Sequence, residues 1–169
     1  SNMPATGTTV VLGKTRRRGV DAQIDARLGD AWTVWASHAY QEAKIQRDGR
    51  APGVSIEGNE VAATPRYISN IGIDYQASDA LQFGLQGRAQ GDYYLEERNV
   101  TDKFGGFAVV DLSAQYRINP RMRVDMQLRN VTGREYVYAW YDSFFQDTTQ
   151  PMFSPSAGRT AFVSLHVTL

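Results

Sequence analysis

The sequence predicts an all-β chain, an antiparallel up-and-down meander of about seven long strands. Two observations predict it. Apolar and polar residues alternate with period two through nearly every segment, which sorts them onto opposite faces of a strand and would scatter them around a helix. The connections between these segments are short and long in strict turn, so that every tight turn of the meander falls at one end of the sheet.

The expected strands are about 9–28, 32–45, 61–77, 81–97, 107–118, 122–141 and 158–169. In the first, Val20, Ala22, Ile24, Ala26 and Leu28 oppose Asp21, Gln23, Asp25 and Arg27. The second, opened by Trp32, is less regular, because Trp35 and His38 fall on conflicting faces. Ile71, Ile73 and Tyr75 against Asn70, Asp74 and Gln76 define the third. Leu81, Phe83 and Leu85 against Gln82, Gln86 and Arg88 define the fourth. In the fifth, Val110, Leu112, Ala114, Tyr116 and Ile118 oppose Asp111, Ser113, Gln115 and Arg117. Met122, Val124, Met126 and Leu128 oppose Arg123, Asp125, Gln127 and Arg129 in the sixth. Ala161, Val163, Leu165 and Val167 lead the seventh to Leu169. Gly29-Asp30-Ala31, Ser78-Asp79-Ala80 and Asn119-Pro120-Arg121 are the tight turns; about 46–60, 98–106 and 142–157 are the long connections.

Alternation leaves two architectures open. A soluble meander would bury the apolar face as its core. A membrane barrel would turn that face to lipid and line its lumen with the polar one, and its tilted strands would need about 9–11 residues each, a length that these segments exceed. Tyr93, Tyr94, Tyr136, Tyr138, Trp140 and Tyr141 fall toward the long-loop ends, as a membrane-interface girdle would, although tyrosine is also a favourable strand residue anywhere. Seven strands is an odd number where single-chain bacterial barrels are even, so the chain reads as the tail of a larger barrel. Ser1-Asn2-Met3 looks like a cloning scar; residues 1–13 read as that scar plus a partial first strand, and 14–169 as barrel strands.

Composition narrows the chemistry. Eighteen Lys and Arg balance eighteen Asp and Glu, which argues against a nucleic-acid partner. The absence of cysteine removes disulfides, thiolate zinc sites and thiol nucleophiles. His38 and His166 are too few and too far apart in sequence for a histidine metal site, and each reads as a lumen or surface residue. No nucleophile elbow surrounds any serine, so no catalytic residue, metal or cofactor is expected and the chain is not read as an enzyme. Asp21, Asp25, Asp74, Asp111 and Asp125 are expected to pair with Arg27, Arg88, Arg117, Arg123 and Arg129 across a polar wall. Gly105-Gly106 opens no helix and forms no phosphate loop.

A set of short motifs, in order, resembles TonB-dependent outer-membrane receptors. Arg16-Arg17-Arg18-Gly19-Val20-Asp21 is similar to the Arg-x-x-Gly-Val-Glu strand found late in that family. Thr64-Pro65-Arg66-Tyr67 before Asn70-Ile71-Gly72-Ile73-Asp74-Tyr75 resembles the family's opening of a descending strand. Asn130-Val131-Thr132-Gly133-Arg134-Glu135-Tyr136 resembles its Asn-Leu-Phe-Asp-x-x-Tyr element, and Gly158-Arg159 opens a last strand. The chain departs from the family at its last residue, Leu169, where an aromatic residue is usual, and at Val131-Thr132-Gly133.

The resemblance implies a fragment of a 22-stranded barrel whose N-terminal plug and TonB box lie outside this chain. It implies uptake of a scarce nutrient, foremost an iron–siderophore, driven by TonB. The implied partners are TonB, outer-membrane lipid, the barrel-assembly machinery acting on the last strand, and a small ligand such as a ferric siderophore. At an extracellular mouth, Trp140, Tyr141, Phe144 and Phe145 would stack on a planar ligand, or else pack on themselves and the membrane interface. A passive porin fragment and a soluble sandwich or lipocalin-like module stand as alternatives. Cut from its barrel, the stretch is expected to self-associate through its open edges.

Overall fold

The computed structural model describes residues 13–47, 55–141 and 151–168. Along these the strands are β1 (Lys14–Leu28), β2 (Trp32–Arg47), β3 (Tyr67–Ser78), β4 (Leu81–Gln90), β5 (Phe107–Asn119), β6 (Met122–Arg129), β7 (Val137–Tyr141), β8 (Pro151–Pro155) and β9 (Thr160–Val167). Seven of them form one antiparallel sheet in the order β1-β2-β3-β4-β5-β6-β9, while β7 and β8 form a separate two-stranded ribbon. The three tight turns all lie at one end. Gly29 takes φ 62° there, and register shifts beside Gln76 and Arg117 fit the strands to the other two turns.

Register settles the faces. Val20, Ile24 and Leu28 stand opposite Tyr40, Ala36 and Trp32. The same face continues through Ile73, Leu85, Leu112, Leu128 and Ala161 to the last strand. The other face carries Asp25, Trp35, Asp74, Gln86, Asp111, Gln115, Asp125 and His166. Trp35 and His38 therefore part company. Trp35 joins the polar wall opposite Gly72, where any Cβ would run into its indole. His38 stands on the apolar face, where Ser69 opposite gives its Nδ1 a hydrogen-bond partner at 2.7 Å.

The apolar face is the uncovered one. Val20 is 70% exposed, Ile24 61% and Val163 72%. Each such side chain forgoes about 1.5–3 kcal/mol of burial if it faces water, so the sheet needs an apolar solvent on that side. A soluble sandwich would have covered it. Trp32 stacks on Tyr75 at 4.3 Å near the tight turns, and Tyr40 pairs with Tyr67 toward the long loops, so two aromatic borders bracket the apolar band.

Three expected strands are shorter than the alternation implied. The third begins at Tyr67, because Ala63 takes φ 51° and residues 62–66 turn before the chain enters the sheet. The fourth ends at Gln90, after which the chain leaves the sheet. The sixth breaks after Arg129, where Asn130 and Gly133 take φ 51° and 66°. Residues 151–155, expected within a loop, pair with β7. Residues 9–12 and Leu169 lie outside the described residues.

Candidate functional site

The buried apolar clusters gather at the long-loop end, on the side of the polar wall. Ala43 and Ile45 of β2, whose neighbours along the strand face outward, pack with Ile56 and Val61; Ile45 and Ile56 are almost wholly buried. A second cluster joins Tyr93, Leu95 and Ala139, with Phe104 against it. Segments 55–66 and 91–106 thus fold inward over the end of the sheet. Tyr93, expected at a membrane girdle, is buried in this rim instead.

Hydrogen bonds fasten the two segments together. The Asn59 amide donates to the carbonyls of Glu97 and Arg98, both at 2.8 Å. The Asn99 side chain accepts from the Glu60 N–H at 2.6 Å and donates to the Glu60 carbonyl at 3.1 Å. The backbone N–H of Ala63 donates to the carbonyl of Tyr94. The Glu60 carboxylate pairs with Arg66 and, at 3.3 Å, with Lys103.

Burial alone would push the Glu60 carboxyl up. Hydrogen bonds from Arg66 and Lys103, with their charges, outweigh it and hold the group below its ordinary value. The folded pKa is thus lower than the unfolded one. The contribution of this carboxylate is complete above the unfolded value and is lost as pH falls through the folded one. Hydrogen-exchange protection at Glu60 and Ala63 should therefore fall on acidification from about pH 6 to about pH 3. Unchanged protection over that interval would contradict the assignment.

The ribbon leans on the same rim. Phe104 meets Phe153 at 5.4 Å, and the Tyr93 hydroxyl donates to the Ala139 carbonyl at 3.4 Å. Phe107 stacks on Tyr136 at 4.3 Å, with Tyr138 edge-on to both. Of the four aromatic residues expected at the mouth, Trp140 and Tyr141 stand on β7 by their backbone pairing with Met152 and Pro151. Phe144 and Phe145 lie outside the described residues. Phe104, Phe107 and Phe153 were missed by sequence reasoning, since nothing in local spacing joins residues so far apart.

Two of the ion pairs expected on the polar wall form, Arg88 with Asp111 at 3.4 Å and Arg123 with Asp125 at 3.1 Å. Asp125 also accepts from Gln115 and lies 2.8 Å from His166. Two arginines take other partners: Arg117 donates to the carbonyl of Asp79, and Arg129 lies over the Phe162 ring and donates to Gln127. The wall is a mainly polar lining, and among the described residues no three His, Asp or Glu side chains gather as a metal site.

Residues 1–131 match the family described as TonB dependent receptor-like, beta-barrel. Over 140 residues the chain is 27% identical to the ferrichrome outer membrane transporter/phage receptor of Escherichia coli K12, covering 78% of this chain and 18% of that protein. It is 26% identical over 135 residues to the catecholate siderophore receptor Fiu of the same strain, covering 78% of this chain and 17% of that one. The crystal structure of the siderophore receptor PiuA from Acinetobacter baumannii has the same fold, with a TM-score of 0.74 at 17% identity over 89% of this chain and 21% of that one. The chain spans about a fifth of the length of the curated relatives it matches, and those relatives are transport receptors, not enzymes. A match over most of the chain, on a sheet whose uncovered face is the apolar one, leaves one assignment: the chain belongs to the TonB-dependent receptor β-barrel family, in the outer membrane of Gram-negative bacteria.

Proposed function

We propose that this chain is the carboxy-terminal stretch of the barrel wall in a TonB-dependent receptor that imports a ferric siderophore. The observation that carries the reading is the inward-folded rim. Ile45 and Ile56 are buried on the side of the polar wall, so segment 55–66, with segment 91–106 hydrogen-bonded to it, leans over the passage instead of standing clear of it. A passive pore needs a lumen open to water, whereas a gated receptor needs a structured mouth to capture ligand. The names of the ferrichrome and catecholate relatives support the ligand class. Trp140, Tyr141, Phe144 and Phe145, on and beyond the ribbon, are the proposed ligand contacts. TonB would act through a plug outside this chain, and β9 is the strand by which the assembly machinery would take hold. In the complete barrel the outer edges of β1 and β9 pair with the remaining wall; the separate chain would pair them with a second copy.

The test is uptake of radiolabelled ferric siderophores by cells carrying the full-length receptor, with and without TonB. Uptake should require both. Combined Trp140→Ala and Phe144→Ala should reduce it by about tenfold, since stacking of each ring on a planar ligand contributes about 0.5–1.5 kcal/mol beyond its buried area. Uptake that persists without TonB would replace this reading with that of a porin.

A further inference from the structure

The polar wall is not evenly lined. At its upper end, where β4 and β6 finish beneath the rim, Gln86, Arg88, Asp111, Ser113, Gln127 and Arg129 enclose a notch of about 370 Å³. All six belong to the inward-facing set. Gln86 stands opposite Asp111 and Ser113 opposite Gln127, while Arg88 and Arg129 follow two residues after Gln86 and Gln127 on the same face. Arg129 ends β6 beside Asn130, which grips the ribbon, so the notch lies directly below the base of the mouth.

The notch is short of negative charge. Asp111 is the one carboxylate among its lining residues, and that group is already engaged. Its Oδ1 accepts the Asn130 N–H at 2.7 Å, while its Oδ2 meets Arg88 only at 3.4 Å. Arg129 has no carboxylate partner among the described residues: it lies over the Phe162 ring at 5.0 Å and donates to Gln127 at 3.1 Å. Two guanidinium groups against one carboxylate leave the notch with one positive charge in excess, although the whole chain is neutral. The Arg88 side chain is 48% exposed, which leaves it open to the lumen.

Chemistry narrows what would fill this space. Phe162 and Gln127 hold the Arg129 guanidinium before any ligand arrives, so less freedom is lost on binding. A guanidinium offers paired N–H groups that match the two oxygens of a carboxylate. One excess charge balances one carboxylate, whereas a phosphate would bring more negative charge than the notch can neutralise. The Ser113 hydroxyl and the Gln86 amide add neutral donors around the same space.

We infer that Arg88 and Arg129 form a carboxylate-binding site in the lumen wall, which takes a free carboxylate of the transported ferric chelate once it has passed the mouth. The inference rests on the import reading for the source of its ligand, and on the notch alone for the chemistry. It makes the receptor selective among iron chelates, favouring those with carboxylate arms over those built from hydroxamates alone.

The test is calorimetric binding to the full-length receptor in detergent, with ferric citrate, iron-free citrate and ferrichrome as probes; ferrichrome carries no free carboxylate. Ferric citrate should bind, and Arg88→Gln with Arg129→Gln should weaken it by at least about tenfold while leaving any affinity for ferrichrome unmoved. Arg88→Lys with Arg129→Lys, which keeps the charge and loses the fork, should recover only part of that loss. Gln127→Glu should weaken citrate comparably, because it neutralises the excess charge without changing volume or touching either arginine. Arg117→Gln, whose guanidinium serves the turn carbonyl of Asp79, should change nothing. Failure to bind citrate in either form, equal loss of both chelates in the double variant, or full citrate affinity in Gln127→Glu would overturn the inference. Binding of iron-free citrate through the arginines with no ferric chelate bound would refute the import reading alone. Binding of ferrichrome without citrate in either form would refute the carboxylate site alone.

Discussion

Replacing Asn130 with alanine is expected to release the β7–β8 ribbon from the wall at a cost of about 3–4 kcal/mol, while the seven-stranded sheet stays paired. Asn130 is 5% exposed and sits where the chain leaves β6. Its side chain donates to the carbonyl of Arg134 at 2.8 Å and reaches that of Ala157 at 3.5 Å. It accepts from the Arg134 N–H at 2.9 Å and from the Thr132 hydroxyl at 3.3 Å. One side chain thus spans both ends of the ribbon's base. Each lost hydrogen bond costs about 1 kcal/mol, and more where a buried partner is left without one. Alanine also tolerates the φ of 51° less well than asparagine. The Asn130 N–H, which donates to Asp111 at 2.7 Å, survives the substitution, so β5 and β6 should keep their register. Hydrogen exchange should accelerate at Tyr136 and Ser156 and not at Leu128 or Ala161. Acceleration spread evenly over all four would show that the residue supports the sheet and not the ribbon.

Gly105→Ala should be nearly as severe, about 3 kcal/mol, and for a different reason. Gly105 takes φ 79°, which costs an L-residue about 1–2 kcal/mol. A Cβ there would fall within the Tyr93 ring, which is 8% exposed and has no open space to move into. Ejecting that ring would forfeit about 2 kcal/mol more and the bond from its hydroxyl to Ala139. Gly29→Ala is the matched comparison: its φ of 62° carries the backbone penalty, but its Cβ would meet nothing within 4 Å. The two variants should therefore differ by about 2 kcal/mol in the stability of the full-length barrel, measured by urea titration. Equal losses would mean that Tyr93 is not the anchor of the rim.

Strand faces were legible because period two is a local property. Ile24 needs only Asp25 beside it to be assigned a side. Trp35 and His38 resisted because each is atypical for its face, and each is accommodated from across the ladder: by the missing side chain at Gly72, and by the hydroxyl of Ser69. The rim was illegible for the same reason on a larger scale. Asn59 finds Glu97 and Arg98, and Asn99 finds Glu60, across gaps of nearly forty residues that no local spacing encodes. The motif from Asn130 to Tyr136 was visible as a unit but was read as the interior of a strand. Its asparagine and Gly133 adopt left-handed backbone and end that strand instead.

That break has a consequence for how the mouth can change over time. β6 pairs directly with β9, from Met122 opposite Val167 to Arg129 opposite Thr160, so the wall closes beneath the ribbon without its help. β7 and β8 hang from the wall as an appended ribbon, gripped at Asn130 and Ser156. Substitution, lengthening or wholesale exchange of that piece leaves every ladder of the barrel intact. Changes confined to the ribbon can then accumulate without disturbing the strand pairing that builds the wall.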